Sequence, residues 1–264
     1  METILQGEGW EKGWSQLLEI MGNAAAVTDR SFAVPDGVNN GQYGIGIVID
    51  FFGLAGKYSG FPVEFVYPSV TAVVPANIAL VAGGKNIDEA KKFMAFTLTK
   101  EGQELLFDPK ISRMHNLPYN QLKVPAGNPD SHAVAKRAKV QFDSNLSGDR
   151  YQVVVSLFDQ MVTFRLKELQ AATKAIHDAE KRLKAKPNAQ AADLVRQARG
   201  HAYSPLVGES NVKNEQFLEL FRKNRRDVAV SKELTGLEEM WGSKSRANYE
   251  RARALADQAI ALLK

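Results

Sequence analysis

Apolar residues recur at two different periods along the chain, and the change between them divides it. In WEKGWSQLLEIM (residues 10–21), Trp14, Leu17, Leu18 and Met21 fall on one face of a helix, and Gly22-Asn23 supply a stop. Ala24–Thr28 is short and apolar and predicts a strand. PDGVNNG (35–41) predicts a brief helix with Pro35 at its first position and Gly41 at its end. YGIGIVI (43–49) is nearly all apolar with no polar alternation, the pattern of a central strand covered by helices on both faces. VEFVY (63–67), stopped by Pro68, and ANIALV (76–81), stopped by Gly83-Gly84, predict two further strands. Asn86 is a natural cap for a helix over Ile87–Leu98 that buries Ala90, Phe93, Met94 and Leu98. Thr99 caps a second helix, Lys100–Phe107.

Residues 108–150 hold several prolines and no sustained period, which predicts a long surface connection. From Tyr151 the period is helical. Val154, Phe158, Met161, Arg165 and Leu169 share one stripe, and the helix is expected to run to about Lys184. Further helices are predicted over Ala189–Arg199, Asn214–Lys223 and Ser231–Leu263, the last interrupted near Trp241-Gly242-Ser243. No strand signal follows about residue 125. The expectation is an α/β front joined to an all-helical extension.

Composition narrows the classes. The chain has 264 residues, 44% hydrophobic and 24% charged, as a folded protein does, and no cysteine. Disulfides, thiol nucleophiles and thiolate metal sites are therefore excluded. No apolar run approaches the length of a membrane span. The polar, acidic opening METILQGEGWEKGW reads as neither a signal nor a transit peptide. The net charge of +4 conceals a split. Residues 1–120 carry 9 Lys and Arg against 13 Asp and Glu, and residues 121–264 carry 25 against 17. An acidic front and a basic back suggest two units.

Chemistry is sparse. His115, His132, His177 and His201 lie at no metal-ligand spacing, and the nucleophile elbow, P-loop and zinc-helix motifs do not occur. Gly44-Ile45-Gly46 lacks the third glycine of a dinucleotide fingerprint and sits inside the predicted strand. Two places stand out. Asp50-Phe51-Phe52 follows the run IGIVI, and in open α/β sheets ligands bind beyond the carboxyl ends of strands. The alternative is that both rings are core and Asp50 caps the next turn. Arg30-Ser31, just before the Pro35 helix, pairs a guanidinium and a hydroxyl with a helix start, an anion-site composition that is equally explained by capping.

The stretch SFAVPDGVNNGQYGIGIVIDFFGLAGKYSGFPVEFVYP, followed by TAVVPANIALVAGGKNIDEAKKFMAFTLTKEGQELLFDPKISRMHNLP, resembles the C-terminal portion of periplasmic solute-binding proteins of ABC transporters. Within them it is most similar to the iron(III)-type group, nearest its phosphoglycerate-type members. The most specific pieces are VNNGQYGIG, VEFVYP and the helix pair ending TKEGQELL. VSLFDQMVTFRLKELQ (155–170) is similar to the helical tail of the phosphoglycerate-type members. The resemblance implies a type II periplasmic binding protein fold, two α/β lobes that close on a ligand. Residues 1–62 would be the remainder of the second lobe, and 63–120 a crossing strand with the remainder of the first. Residues 121–149 would be a connection and 150–264 the helical extension. It also implies that a leader and most of a first lobe precede Met1, so that the chain is the C-terminal part of a longer protein.

Iron-binding members carry adjacent tyrosines where this chain has Phe51 and Phe52. Phenylalanine offers no phenolate to Fe(III), so the resemblance implies no metal and no cofactor here. It carries ligand contacts onto Asp50 and Ser31, and Tyr67 either faces the cleft or packs. The implied function is non-enzymatic. The chain would bind a small, anionic organic solute, such as a phosphorylated three-carbon acid, in the periplasm, for a membrane permease or membrane sensor protein. The ligand-binding candidates are Arg30, Ser31, Asp50, Phe51, Phe52 and Tyr67. The other class is a nucleic-acid- or protein-interaction module using basic clusters such as Arg222–Arg226. No nucleic acid is expected on the leading reading. Open sheet edges would favour a homo-oligomer or a domain swap.

Overall fold

The computed structural model describes residues 1–108, 111, 113–223 and 226–264. Asn224 and Arg225 of the basic cluster lie outside the described residues. The chain divides into two compact units, one made of Met1–Val27 with Asp143–Lys264 and the other of Thr28–Phe142.

The first unit is helical. α1 (Glu2–Glu8) and α2 (Trp10–Gly22) open the chain. In the second unit follow α3 (Ala33–Asn39), α4 (Asp50–Tyr58), α5 (Ile87–Thr97), α6 (Lys100–Glu104) and α7 (Ser131–Arg137). The first unit then resumes with α8 (Ser144–Met161), α9 (Leu166–Ala185), α10 (Ala189–Tyr203), α11 (Glu209–Val212), α12 (Glu215–Arg222) and α13 (Val228–Leu262). Side-chain caps start these helices. Asp143, Asn188, Asn214 and Asp227 each accept from backbone N–H groups in the first turns of α8, α10, α12 and α13.

One hydrophobic core fills this unit. Trp10, Trp14 and Leu18 of α2 are buried with Leu169, Ala172, Ile176 and Ala179 of α9, Val195, Ala198 and Ala202 of α10, and Ala252, Leu255, Ala256 and Ala259 of α13. Alanines at helical spacing let the three long helices approach closely. Two expected features differ. The helix expected to run unbroken from Tyr151 breaks at Val162–Arg165, where the Tyr249 hydroxyl donates to the Met161 carbonyl at 2.7 Å and satisfies the free end. Conversely, α13 continues through Trp241-Gly242-Ser243, because Trp241 is buried in the core and holds that segment helical. The acidic opening also neutralises part of the basic tail. Glu2 accepts a two-pronged pair from Arg150 at 2.9 Å, and Glu19 one from Arg199 at 3.0 and 2.7 Å.

In the second unit the expected α/β architecture is absent. Among the described residues there is no strand, so this is not the C-terminal part of a two-lobed α/β fold, and no sheet edges exist for a second copy to pair with. Tyr43–Ile49, Val63–Tyr67 and Ala76–Val81 are non-helical but unpaired. Among the described residues, no backbone–backbone hydrogen bond engages residues 44–48, 64–70 or 72–80. Ile45 is 89% exposed, where burial on both faces was expected for its run, and Val66 of the next expected strand is 77% exposed. An apolar, β-branched run favours an extended backbone, but a strand exists only when a neighbour accepts and donates along its length. α3 begins at Ala33, so Pro35 sits inside its first turn. Asn86 precedes α5 without a side-chain cap bond, and α5 buries no residue. Phe93 and Leu98 are exposed because no sheet lies beneath them. Thr99 does cap α6, accepting from the Gly102 N–H.

Candidate functional site

The first turn of α4 gathers four of the six expected residues. The Asp50 carboxylate, at the first position of α4, accepts the Phe51 N–H at 2.8 Å through Oδ1. Its Oδ2 accepts the Tyr67 hydroxyl at 3.2 Å. That hydroxyl also lies 3.1 Å from Met114 Sδ, and its single proton goes to the charged acceptor. Burial, and then the neighbouring Asp50 charge, push the Tyr67 phenol well above its ordinary range, so it stays a neutral donor. Phe65 packs edge-to-face on Tyr67 with centroids 4.8 Å apart. It lies so close to Gly53 that a Cβ there would collide with the ring. Phe51 and Phe52 are tilted rings 4.5 Å apart. Over the Phe51 face, 3.3 Å from its centroid, lies the guanidinium of Arg113.

Arg113 comes from a turn pinned by buried polar groups. Its N–H donates to the Leu106 carbonyl at 3.0 Å. Gln103, 5% exposed, accepts the Asn116 and Leu117 N–H groups with its side-chain oxygen and donates to the Thr97 carbonyl. His115, 3% exposed, lies with Nδ1 2.7 Å from the Leu117 carbonyl, so Nδ1 carries the proton. Ser131 closes the turn by donating to the His115 carbonyl at 2.6 Å. His132 Nε2 sits 2.9 Å from the Asn116 carbonyl.

Arg30 and Ser31 are not part of this cluster. Both are exposed, Arg30 leans over Phe32 at 5.9 Å, and neither makes a hydrogen bond or ion pair with the Asp50 group among the described residues. Sequence reasoning missed Arg113, Met114, Phe65, Gln103 and His115. Arg113, Met114 and His115 sit in an aperiodic, proline-rich stretch, Phe65 lies in the expected strand VEFVY and Gln103 in the expected helix Lys100–Phe107, and the one signal shared by all five was that the family resemblance extends over them. No group of three or more His, Asp or Glu that could hold a metal occurs among the described residues. Among the described residues the arrangement provides one exposed cation, two aromatic faces and one carboxylate already engaged by the protein.

The chain matches the bacterial extracellular solute-binding protein family over residues 1–144. It is 35% identical over 187 residues to the phosphoglycerate transport regulatory protein PgtC of Salmonella typhimurium and, equally, to that of Salmonella typhi. That alignment covers 70% of this chain and 45% of each relative. An uncharacterized protein of Haemophilus influenzae is 30% identical over 108 residues, 40% of this chain and 31% of that protein. The chain thus spans less than half the length of the curated relatives it matches. No solved structure matches it. No helix among the described residues is long and apolar enough to cross a membrane. With the match covering more than half its length, the chain belongs to the bacterial extracellular solute-binding protein family.

Proposed function

We propose that the chain acts, without catalysing a reaction, in the binding of a small anionic organic solute such as a phosphorylated three-carbon acid. The solute is held in the periplasm and the bound state is passed to a membrane permease or sensor. The observation that carries this reading is the cluster of Asp50, Phe51, Phe52 and Tyr67, inside the segment that matches the solute-binding family. Asp50 and Tyr67 brace the α4 start. Each carboxylate oxygen keeps a second lone pair, so Asp50 can still accept from a solute hydroxyl. Arg30 and Ser31 form a separate exposed pair and would serve as an outer contact only. The similarity to the phosphoglycerate transport regulatory proteins supports the choice of solute class.

The helical unit is the natural surface for the membrane partner. It folds around its own core, to which α1 and α2 contribute Leu5, Trp10, Trp14, Leu17 and Leu18. The basic excess of the tail favours nucleic acid less than its count suggests, because Arg150 and Arg199 are paired with Glu2 and Glu19. Self-association belongs to the same reading. Ile45, Ile47, Val66 and Val81 are exposed apolar side chains on unpaired backbone, and concentration-dependent sedimentation checks it. The solute reading is tested by isothermal titration of the chain with 3-phosphoglycerate and with glycerol. Saturable heat with the first and none with the second is expected. No heat with either refutes it.

A further inference from the structure

We infer that Arg113 is the anion-binding residue of the solute site, and that it takes the oxyanion of the solute, a phosphate monoester or a carboxylate. The inference rests on the solute-binding reading above and adds the residue that recognises charge.

Three observations carry it. First, Arg113 is exposed and, among the described residues, forms no ion pair, although Asp50 belongs to the same cluster. The other prominent arginines behave differently: Arg150, Arg199 and Arg222 each meet a carboxylate within 3.0 Å. Asp50 is turned away to the Phe51 N–H and the Tyr67 hydroxyl, so the cation and the anion of the site are kept apart. Second, the guanidinium carbon lies 3.3 Å from the Phe51 ring centroid, too close for an edge-on approach, and the group is steadied by one bond from Nη1 to the Ile111 carbonyl at 2.9 Å. A plane stacked on a ring keeps its edges clear of that ring, and the Nε–Nη2 edge, which makes no bond among the described residues, can grip phosphate or carboxylate in two-pronged fashion. Third, the turn that presents it is fixed by Gln103, His115 and Ser131, all buried. A pre-set guanidinium loses less freedom on binding than a free surface arginine does.

Phe51 acquires a role by the same argument. Where a phenolate would have met a metal, the ring is a platform that orients a cation toward an anion.

The test is titration of the whole chain with three probes: 3-phosphoglycerate, which carries both groups, glycerate, which carries the carboxylate alone, and inorganic phosphate. The wild type is expected to bind 3-phosphoglycerate. Arg113→Gln is expected to weaken that binding by about tenfold to a hundredfold, the range for a hydrogen-bonded charge. Arg113→Lys keeps the charge but loses the planar stack and should fall between. Probes that lose affinity in Arg113→Gln identify the group gripped; a loss confined to phosphate-bearing probes assigns the phosphate. A second readout needs no variant. Phenylglyoxal labelling of Arg113 in the wild type, read by peptide mass, should slow when 3-phosphoglycerate is present. Unchanged affinity in Arg113→Gln, or labelling that the probe does not slow, overturns the assignment while leaving the solute reading standing. A wild type that binds none of the three probes sinks the solute reading itself and the assignment with it.

Discussion

Glu2→Gln isolates the contact that fastens the opening helices to the tail. Glu2 in α1 and Arg150 in α8 form a two-pronged pair at 2.9 Å whose side chains are 12% and 6% exposed. Arg150 also lies over Trp10, 5.1 Å from its ring. Glutamine keeps the shape of Glu2 and removes its charge, which leaves a guanidinium nearly out of water with no counter-charge. Removing one partner of a buried pair costs about 3–5 kcal/mol, and the slight exposure of Glu2 places the expectation near the lower end, about 3 kcal/mol. Trp10, Trp14 and Trp241 are the three tryptophans of the chain, and all are buried in the helical unit, so urea unfolding followed by tryptophan fluorescence reads that unit alone. With a slope of about 1–3 kcal/mol per molar urea, the midpoint should fall by about 1–3 M. Adding Arg150→Met to Glu2→Gln should recover part of the loss, because no charge is then stranded. A midpoint unchanged in Glu2→Gln, or a double variant that loses the full sum of the singles, would refute the reasoning.

Gly22→Ala places a methyl against the Thr173 hydroxyl, which accepts from the Tyr203 hydroxyl at 3.1 Å, so α2 must move off α9. The same fluorescence assay should show a loss of about 1–3 kcal/mol. The Arg199 guanidinium holds the Glu19 carboxyl below its ordinary range, chiefly by hydrogen bonding. A lowered folded value means stability that is present above the ordinary carboxylate range and lost as pH falls through the folded one. The stability difference between wild type and Glu19→Gln should therefore shrink on acidification below about pH 4.5, the ordinary glutamate value, as read by urea unfolding at stepped pH. Burial raises Tyr67 and Tyr249 above the ordinary tyrosine value of 10.0. Their stabilising effect is complete below that value and lost as pH rises above it, so ultraviolet titration should find these two among the tyrosines that ionise only as the chain unfolds.

How much was legible in the sequence differs between the units. Helix α2 with its Trp14, Leu17 and Leu18 stripe, the helical tail and the Thr99 cap follow from period and capping chemistry, which act within a few residues. The family resemblance was legible too, because motif identity does not depend on which partners the chain finds. In the candidate site the adjacency of Asp50, Phe51 and Phe52 is a matter of sequence. That Tyr67 meets Asp50, and that Arg113 lies on Phe51, was decided by folding that brings residues 17 and 62 positions apart together. The runs IGIVI and VEFVY carry every local mark of strands, yet strand formation is a property of two segments, and among the described residues no backbone partner lies alongside either. Likewise, nothing local announces that residues 1–27 join the tail. That union needs Trp10 and Trp14 to find α9, α10 and α13, and Glu2 and Glu19 to find arginines 148 and 180 positions away. Local pattern sets which conformation each segment prefers, and only long-range packing sets which preferences are satisfied.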